Sequence, residues 1–380
     1  MQTVGSKWHI GIRGLDFIKK NAVMFIALLA ALITSVIVPP DAKYADYFDY
    51  KTLTCLFCVL AVVCALRNIN FFYIIALKIV RCFKNTRLCI LALVYITLIG
   101  SMLIANDMAL ITFLPLGYFV LSVTGKKKHM AFTFIMQNIA ANLGGMLTPF
   151  GNPQNLYIYT KYNIDSLEFM RIMALPFIAS IILITICCII FVKPEQFEIK
   201  GESAPLDRRR AAIYLVLFAL AILIVFRGVP YLIGLAIIVA ALMLLDRKAL
   251  RDVDYGLLFT FVFFFIFAGN MARIDEVREF FSFILNKNAM VFSELSCQII
   301  SNVPTAILMS QFTDNYRELL WGVNIGGTGT LIASLASLIT FREYVSHNRG
   351  KAAAYIGLFS AFNFGFLIIL TLFMTAVSRI

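Results

Sequence analysis

The sequence predicts an all-α polytopic membrane protein built from two inverted-topology repeats. Three observations support this fold class: an apolar composition, short basic loops between the apolar runs, and a glycine-rich stretch that occurs twice. Together they predict about nine transmembrane helices, two of them broken, and two re-entrant helical hairpins.

The composition excludes a soluble globular protein. Of the 380 residues, 61% are hydrophobic and only 14% are charged, which leaves too few polar side chains to cover a globule. We expect the first apolar run to be a retained helix, because it is long and no small-residue cleavage site follows it. The runs that reach or approach the roughly 20 residues of a bilayer crossing are about 21–38, 52–66, 172–192, 211–226, 231–245, 256–272 and 352–377.

The net charge of +12 is explained by membrane orientation rather than by a nucleic-acid partner, because the basic residues cluster in short loops. Lys19 and Lys20, together with Lys7 and Arg13, precede the first run and place the N-terminus in the cytoplasm. The stretch 193–210 is predicted to be a cytoplasmic linker between the halves. The alternation of crossings then places the C-terminus outside, in a multi-pass protein of a bacterial inner-type plasma membrane.

Neither catalysis nor a zinc site is predicted. The eight cysteines lie mostly inside or beside apolar runs, where a thiol behaves as a small hydrophobe. The histidines His9, His129 and His347 have no metal-ligand spacing. No nucleophile with a general base is recognisable, so we expect neither an enzyme nor a cofactor.

A polar tip interrupts the apolar region at about 88–124. Its midpoint, "IANDMA", holds Asn106 and Asp107, and both ends of the region carry the basic inside signature. Legs of roughly 18 residues permit two full crossings. The polar tip instead favours a re-entrant hairpin, which is tolerated where protein or a watery cavity surrounds it. A second hairpin is predicted at about 280–313, with "SNVPT", Ser301 to Thr305, at its tip.

The glycine-rich stretch "NLGGMLTPFGNPQN", Asn142 to Asn155, has a counterpart in the second half. It aligns without gaps with "NIGGTGTLIASLAS", Asn324 to Ser337. Each copy follows a hairpin, and the charge pattern gives the two copies opposite directions, as in the inverted repeats of secondary transporters. The aligned pairs are Asn142 with Asn324, Gly144 with Gly326, Thr148 with Thr330, Asn152 with Ser334, and Asn155 with Ser337.

These features define the predicted domains. The N-terminal repeat covers 1–192 and contains a broken helix at about 130–161. The C-terminal inverted repeat covers 211–380 and contains a broken helix at about 315–340.

Helix starts inside these elements predict an anion site. Asn152 before Pro153 is a typical helix start, and Ser334 is expected to cap the equivalent half-helix. Asn106 and Asn302 are each expected to cap the second leg of a hairpin. Four helix N-termini then converge near the midplane, where their unpaired N–H groups favour an anion. Freed carbonyls and side-chain oxygens can instead hold sodium, at Asn106, Asn142, Asn302 and Asn324.

Two acids complicate the anion interpretation. An ionised carboxylate such as Asp107, at the first hairpin tip, is costly in a membrane interior, which indicates a functional role. Asp107 is expected either to carry a coupling proton or sodium ion or to bind a substrate that is a cation. Glu294, in the first leg of the second hairpin, is the other candidate; its alternative is a turn residue exposed to outer water.

The quoted motifs resemble the ion transporter superfamily, which includes arsenite permeases, NhaD-type sodium/proton antiporters, citrate transporters and divalent anion/sodium symporters. The resemblance covers both repeats and is greatest to citrate-transporter-like bacterial permeases. It implies a homodimer, in which a scaffold supports a moving transport part. It also implies binding roles for Asn106, Asn142, Thr148, Asn302, Thr305, Asn324 and Thr330, although neither half has a full Ser-Asn-Thr motif.

The leading hypothesis is therefore a secondary transporter of a small anion, a carboxylate or oxyanion, coupled to sodium or protons in a lipid membrane. The alternative is a sodium/proton antiporter that uses Asp107. The full set of predicted substrate-binding or ion-binding residues is Asn106, Asp107, Asn142, Gly144, Thr148, Asn152, Asn155, Ser301, Asn302, Thr305, Asn324, Gly326, Thr330, Ser334 and Ser337.

Overall fold

The computed structural model describes residues 21–196 and 206–378. In these ranges the chain is helical, with short 3-10 turns and one isolated bridge between Asn85 and Gln196. The basic N-terminal residues and positions 197–205 of the predicted linker lie outside the described residues. The helices are α1 (Ala22–Ile37), α2 (Tyr50–Asn68), α3 (Phe71–Arg81), α4 (Thr86–Ile104), α5 (Asn106–Val123), α6 (Met130–Gly144), α7 (Pro153–Lys161), α8 (Ser166–Phe191), α9 (Arg208–Val225), α10 (Tyr231–Leu245), α11 (Arg247–Arg251), α12 (Tyr255–Ala272), α13 (Asp275–Ile300), α14 (Asn302–Met309), α15 (Tyr316–Ile325), α16 (Leu335–His347) and α17 (Ala352–Val377).

Many of these helices begin at an aspartate or asparagine that caps the first turn. Asp49 accepts a hydrogen bond from the Thr52 N–H at 2.9 Å, and Asp254 accepts one from the Leu257 N–H at 3.0 Å. Such side chains satisfy N–H groups that have no partner inside the helix. The apolar runs therefore become helices with defined starts.

Six helical segments of the described chain are long and apolar enough to cross a membrane. They are Tyr50–Asn68, Thr86–Ile104, Asn106–Val123, Ser166–Phe191, Arg247–Ala272 and Ala352–Val377. The apolar helices Ala22–Ile37 and Tyr231–Leu245 are shorter. A multi-pass membrane protein follows, whereas the total of nine crossings stays a prediction.

The chain reverses direction at two tips that share an unusual backbone conformation. Ala105, between α4 and α5, has φ 68° and ψ 151°, and Ser301, between α13 and α14, has φ 74° and ψ 159°. Non-glycine residues rarely adopt this conformation, and each instance costs about 1–3 kcal/mol. We call Ala105–Asn106 and Ser301–Asn302 the two hairpin tips.

The two hairpins differ in length. The first has legs of 19 and 18 residues, about 28 and 27 Å long, so a full crossing by each leg stays open. In the second, the helix before the tip is kinked at Asn288, whose Oδ1 accepts from the Val291 N–H at 2.8 Å. The following helix α14 has only eight residues, about 12 Å, and is too short to cross.

Both glycine-rich stretches interrupt helices. Helix α6 ends at Gly144 and α7 begins at Pro153, which leaves 145–152 as the first break. Helix α15 ends at Ile325 and α16 begins at Leu335, which leaves 326–334 as the second break. A Cβ on Gly151 would lie 2.4 Å from the Gly145 carbonyl oxygen, so the first break needs glycine for this close backbone approach.

The helices pack as two groups. Helix α12 lies against α1, and α2 lies against α9, α10 and α11, whereas the hairpins and broken helices pack with α8 and α17. Within the second group, α7 packs on α14 and α16 packs on α5. Each helix that follows a break thus contacts the second hairpin leg of the other half.

A polar clamp fixes the segment that follows α8. Glu195 pairs with Lys126 and with Lys128, whose Nζ lies 2.7 Å from Glu195 Oε1. The hydrogen bonds and charges of these two lysines lower the pKa of Glu195 from 4.5 to about 2. The Glu195 carbonyl also accepts from the Thr86 N–H at 2.8 Å, which ties the segment to the start of α4.

Candidate functional site

A central cavity of about 70 Å³ lies where the two hairpin tips meet the two helices that follow the breaks. Its volume is enough for roughly five water molecules at about 10–15 Å³ each. The tips contribute Asn106, Asp107, Ser301, Asn302, Val303 and Pro304, and the helices after the breaks contribute Pro153, Gln154, Ser334 and Leu335. The remaining wall comes from α12 and the start of α1, through Asp254, Gly256, Leu257, Thr260, Asn21, Val23 and Met24.

The N-termini of six helices meet at this cavity: α5, α7, α14 and α16 from the hairpins and broken helices, and α1 and α12 from the other group. Each N-terminus presents N–H groups that lack a partner inside the helix and carries a partial positive charge of about 0.5. Such an arrangement can bind an anion through backbone groups.

Two of the hydrogen bonds that join the halves behind the cavity match under the alignment of the glycine-rich stretches. Asn142 Oδ1 accepts from Ser334 Oγ at 2.8 Å, and Asn324 Oδ1 accepts from Asn152 Nδ2 at 3.1 Å. In each case the asparagine before one break contacts the residue that starts the helix after the other break. All four residues are buried, so the pairs also satisfy groups that water cannot reach.

Further amide bonds connect this layer to the cavity wall. Asn106 Nδ2 donates to Asn142 Oδ1 at 3.2 Å, and Asn324 Nδ2 donates to Asn155 Oδ1 at 2.6 Å. Gln154 Nε2 approaches Asn324 Oδ1 at 3.5 Å. The cavity-lining side chains are therefore held in place by a buried network.

Two threonines hold the breaks against the hairpins in the same way in both halves. Thr148 Oγ1 donates to the Met102 carbonyl at 2.8 Å, and Thr330 Oγ1 donates to the Gln298 carbonyl at 3.1 Å. Both carbonyls lie three residues before a hairpin tip, in the last helical turn, where carbonyls lack a partner inside the helix.

The predicted residues fall into three groups by position. Those that line the cavity are Asn106, Asp107, Ser301, Asn302 and Ser334. Those in the network behind it are Asn142, Asn152, Asn155 and Asn324. The structure places Gly144, Thr148, Thr305, Gly326, Thr330 and Ser337 in packing or supporting positions outside the cavity wall.

Some local expectations were wrong. Asn152 makes no side-chain cap: its Nδ2 donates to the Asn142 carbonyl and to Asn324 Oδ1, and its Oδ1 accepts no hydrogen bond from the part of the chain that the structure describes. Asn106 and Asn302 are the first helical residues rather than caps, although the Oδ1 of each accepts from the next N–H at 2.9 Å. Ser334 does cap α16, through the Ala336 N–H at 3.2 Å.

Glu294 is not exposed to water. Only 4% of its surface is accessible, and its Oε2 accepts from Thr371 Oγ1 at 2.8 Å. Its position against α17 excludes the interpretation as an exposed turn residue, and it does not line the central cavity.

Sequence reasoning missed three residues of this region. Asp254 and Gln154 line the cavity. Gln298 Oε1 accepts from the Thr330 N–H at 2.8 Å, and its Nε2 donates to the Gly326 and Thr328 carbonyls of the second break. Gln154 lies inside the quoted glycine-rich motif, and Gln298 lies three residues before the tip serine. Both residues could therefore have been identified from the sequence. Asp254 resembled an ordinary loop residue before an apolar run.

A larger cavity of about 660 Å³ lies further along α7 and α12. Lys51, Tyr157, Lys161, Phe265 and Gln311 are among its lining residues. The Tyr157 and Phe265 rings lie with centroids 5.5 Å apart. Since Gln154 lines the central cavity and Tyr157 lines the larger one, a single helical turn of α7 separates the two.

The apolar helices define a multi-pass membrane protein, and its relatives define it as a transporter. Residues 9–316 match the sequence profile of the citrate transporter family, so the chain belongs to that family. The match includes both hairpin tips and the first break.

Two similar proteins extend over most of the chain. An uncharacterized transporter of Methanocaldococcus jannaschii, MJ0456, is 34% identical over 322 residues, which cover 84% of this chain and 88% of that protein. The inner membrane protein YbiR of Escherichia coli strain K12 is 28% identical over 330 residues, which cover 83% of this chain and 86% of that protein. The family and the name of the Methanocaldococcus jannaschii relative indicate a transporter rather than an enzyme.

Proposed function

We propose that this protein is a secondary active transporter that moves a small anion, a carboxylate or an oxyanion, by alternating access coupled to sodium or protons. One observation carries the proposal: six helix N-termini meet at one small cavity, four of them at the hairpin tips and after the breaks. The converging partial charges suit an anion, and interrupted helices of this kind bind substrates in membrane transporters.

The proposal includes two inverted repeats that meet at the cavity. It is supported by the matching backbone at Ala105 and Ser301 and by the matching hydroxyl–carbonyl bonds of Thr148 and Thr330. We place the N-terminus in the cytoplasm and the C-terminus outside, on the charge distribution alone. The homodimer is likewise part of the proposal, on the family resemblance.

Alternating access requires a barrier on at least one side of the site. The Tyr157 and Phe265 rings line the larger cavity, and Tyr157 lies one turn of α7 beyond Gln154 of the central cavity. Tyr157 is further held by its hydroxyl, which lies 2.9 Å from Ser310 Oγ. On the charge-based orientation, this barrier closes the central cavity toward the outside.

The direct test is uptake of radiolabelled carboxylates and oxyanions into proteoliposomes, with an imposed sodium or proton gradient. The wild type should accumulate at least one anion only when a gradient is present. Asn142→Ala and Asn324→Ala should remove uptake, because they delete the bonds that join the halves behind the cavity, while both variants still insert and elute as folded protein. Normal uptake by both variants would exclude the proposed site.

A sodium/proton antiporter is the second candidate, and Asp107 favours it. Its Oδ1 is buried without a hydrogen-bond partner among the described residues, so this oxygen is available to bind a small cation or a proton. Vesicles that show sodium-dependent proton movement without any organic substrate, lost in Asp107→Asn, would establish this activity instead.

A further inference from the structure

We infer that sodium is the coupling cation and that it binds in the central cavity between Asp107 and Asp254, with the Gln154 amide oxygen as a further ligand. This inference rests on the proposed function and specifies its coupling site. It assigns roles to Asp254 and Gln154, neither of which was among the binding residues predicted from the sequence.

The first observation is the charge of the cavity wall. Among the described residues that line it, Asp107 and Asp254 are acidic, and none is a lysine, arginine or histidine. Asp107 lies in the first turn of α5, whereas Asp254 caps α12 from the other group of helices. Two carboxylates from separate parts of the fold therefore face one small space without a basic side chain to balance them.

The second observation is a buried acceptor without a donor. Gln154 is 1% exposed and lines the cavity, and its Oε1 has no hydrogen-bond partner among the described residues. Its Nε2 is directed toward Asn324 Oδ1 at 3.5 Å, which leaves the carbonyl end of the amide for the cavity. A buried polar oxygen of this kind costs about 1–3 kcal/mol unless something binds it.

The two carboxylates offset most of the positive field of the helix ends. Six helix N-termini contribute about +3 in total, at about +0.5 each, and two ionised carboxylates contribute about −2. The carboxylates therefore weaken the attraction of the cavity for an anion. One bound monovalent cation strengthens the positive field again, so cation and anion each favour the binding of the other, as thermodynamic linkage requires.

The ligand set suits sodium better than a proton or a divalent ion. Carboxylate and amide oxygens are ligands of hard cations, whereas a proton needs no amide acceptor. No group of three or more acidic, histidine or cysteine side chains that could hold a metal occurs in the described ranges, which disfavours a dedicated divalent site. The volume of about 70 Å³ accommodates one ion with a few waters.

The test measures sodium binding to the purified full-length protein by thermal unfolding. Sodium chloride is titrated against choline chloride at constant ionic strength and pH, without a substrate anion. Sodium should raise the unfolding temperature of the wild type. Asp254→Asn should weaken the apparent sodium affinity by about tenfold or more, and because asparagine is also a good helix cap, the start of α12 should persist.

Two further variants complete the design. Gln154→Met, which removes the amide oxygen at similar volume, should also weaken sodium binding. Asp252→Asn changes an acid two residues from Asp254 that does not line the cavity, and it should bind sodium as the wild type does. The same variants are then reconstituted for anion uptake.

Each outcome decides between the proposals. Loss of sodium binding in Asp254→Asn but not in Asp252→Asn supports the site. Sodium affinity in Asp254→Asn within about twofold of the wild type overturns it. If sodium has no effect on the wild type but a proton gradient still drives anion uptake, the sodium site is wrong and the transporter stands. If neither gradient drives uptake of any anion, the proposed function itself fails.

Discussion

Replacing the two threonines that join the breaks to the hairpins tests whether these bonds stabilise the tips. Thr148→Val and Thr330→Val keep the shape of the side chain and remove the hydroxyl that donates to Met102 or Gln298. Each change leaves a carbonyl of a terminal helical turn without a partner. Thr148→Ser and Thr330→Ser are matched controls, because serine retains the donor.

The size of the effect follows from one hydrogen bond per site. A net hydrogen bond is worth about 1 kcal/mol in soluble proteins and about 0.6 kcal/mol in the average membrane-protein measurement. Each valine variant should therefore lose about 0.6–1 kcal/mol of unfolding free energy. Since the sites lie in different halves and share no partner, the double variant should lose about 1.2–2 kcal/mol.

The assay is the free energy of unfolding in mixed detergent micelles, titrated with SDS, for the two valine variants, their double variant and the serine controls. A valine variant as stable as the wild type would refute the reasoning, as would a serine variant as unstable as its valine counterpart. A strongly non-additive double variant would show that the two halves couple through these bonds, contrary to the contacts described.

Two further predictions concern the first break and the clamp after α8. Gly151→Ala should destabilise the protein and abolish uptake, because its Cβ would lie 2.4 Å from the Gly145 carbonyl oxygen. A Cβ on Gly365 would meet no described atom within 4 Å, so Gly365→Ala should behave as the wild type. Equal thermal unfolding of the two variants would contradict this. Glu195→Gln should lower the unfolding temperature at pH 7. Because the folded-state pKa of Glu195 is lowered from 4.5 to about 2, its stabilisation is present above pH 4.5 and is lost as the pH falls toward 2. The difference between Glu195→Gln and the wild type should shrink over that range, and a constant difference would exclude the carboxylate charge as its cause.

The sequence was sufficient to predict features that depend only on neighbouring residues. Glycines, prolines and capping residues act on their own backbone, so the helix interruptions near Gly144 and Ile325 could be inferred from the residues around them. The family resemblance was confirmed by the citrate transporter profile. The domain boundaries, the repeats and the binding roles stay predictions.

What the sequence could not provide depends on distant partners. Asn152 was expected to cap its own helix, but its amide turns to Asn324, 172 positions away. Glu294 was considered as an exposed turn residue, but its carboxylate meets Thr371 of the last helix. Asp254 gains its importance only because α12 lies beside the hairpin tips. Long-range contacts of this kind leave no periodic or local signal.

The exchanged bonds between the halves have a consequence for synthesis. Asn152 and Gln154 enter the membrane well before Asn324 is made, and Asn142 precedes Ser334 by 192 positions. The newly inserted first half therefore holds buried amides whose partners do not yet exist. Its loop at 145–152 can form these bonds only after the segment that contains Asn324 has been synthesised. Folding of the transporter is therefore completed late, when its C-terminal part has been made.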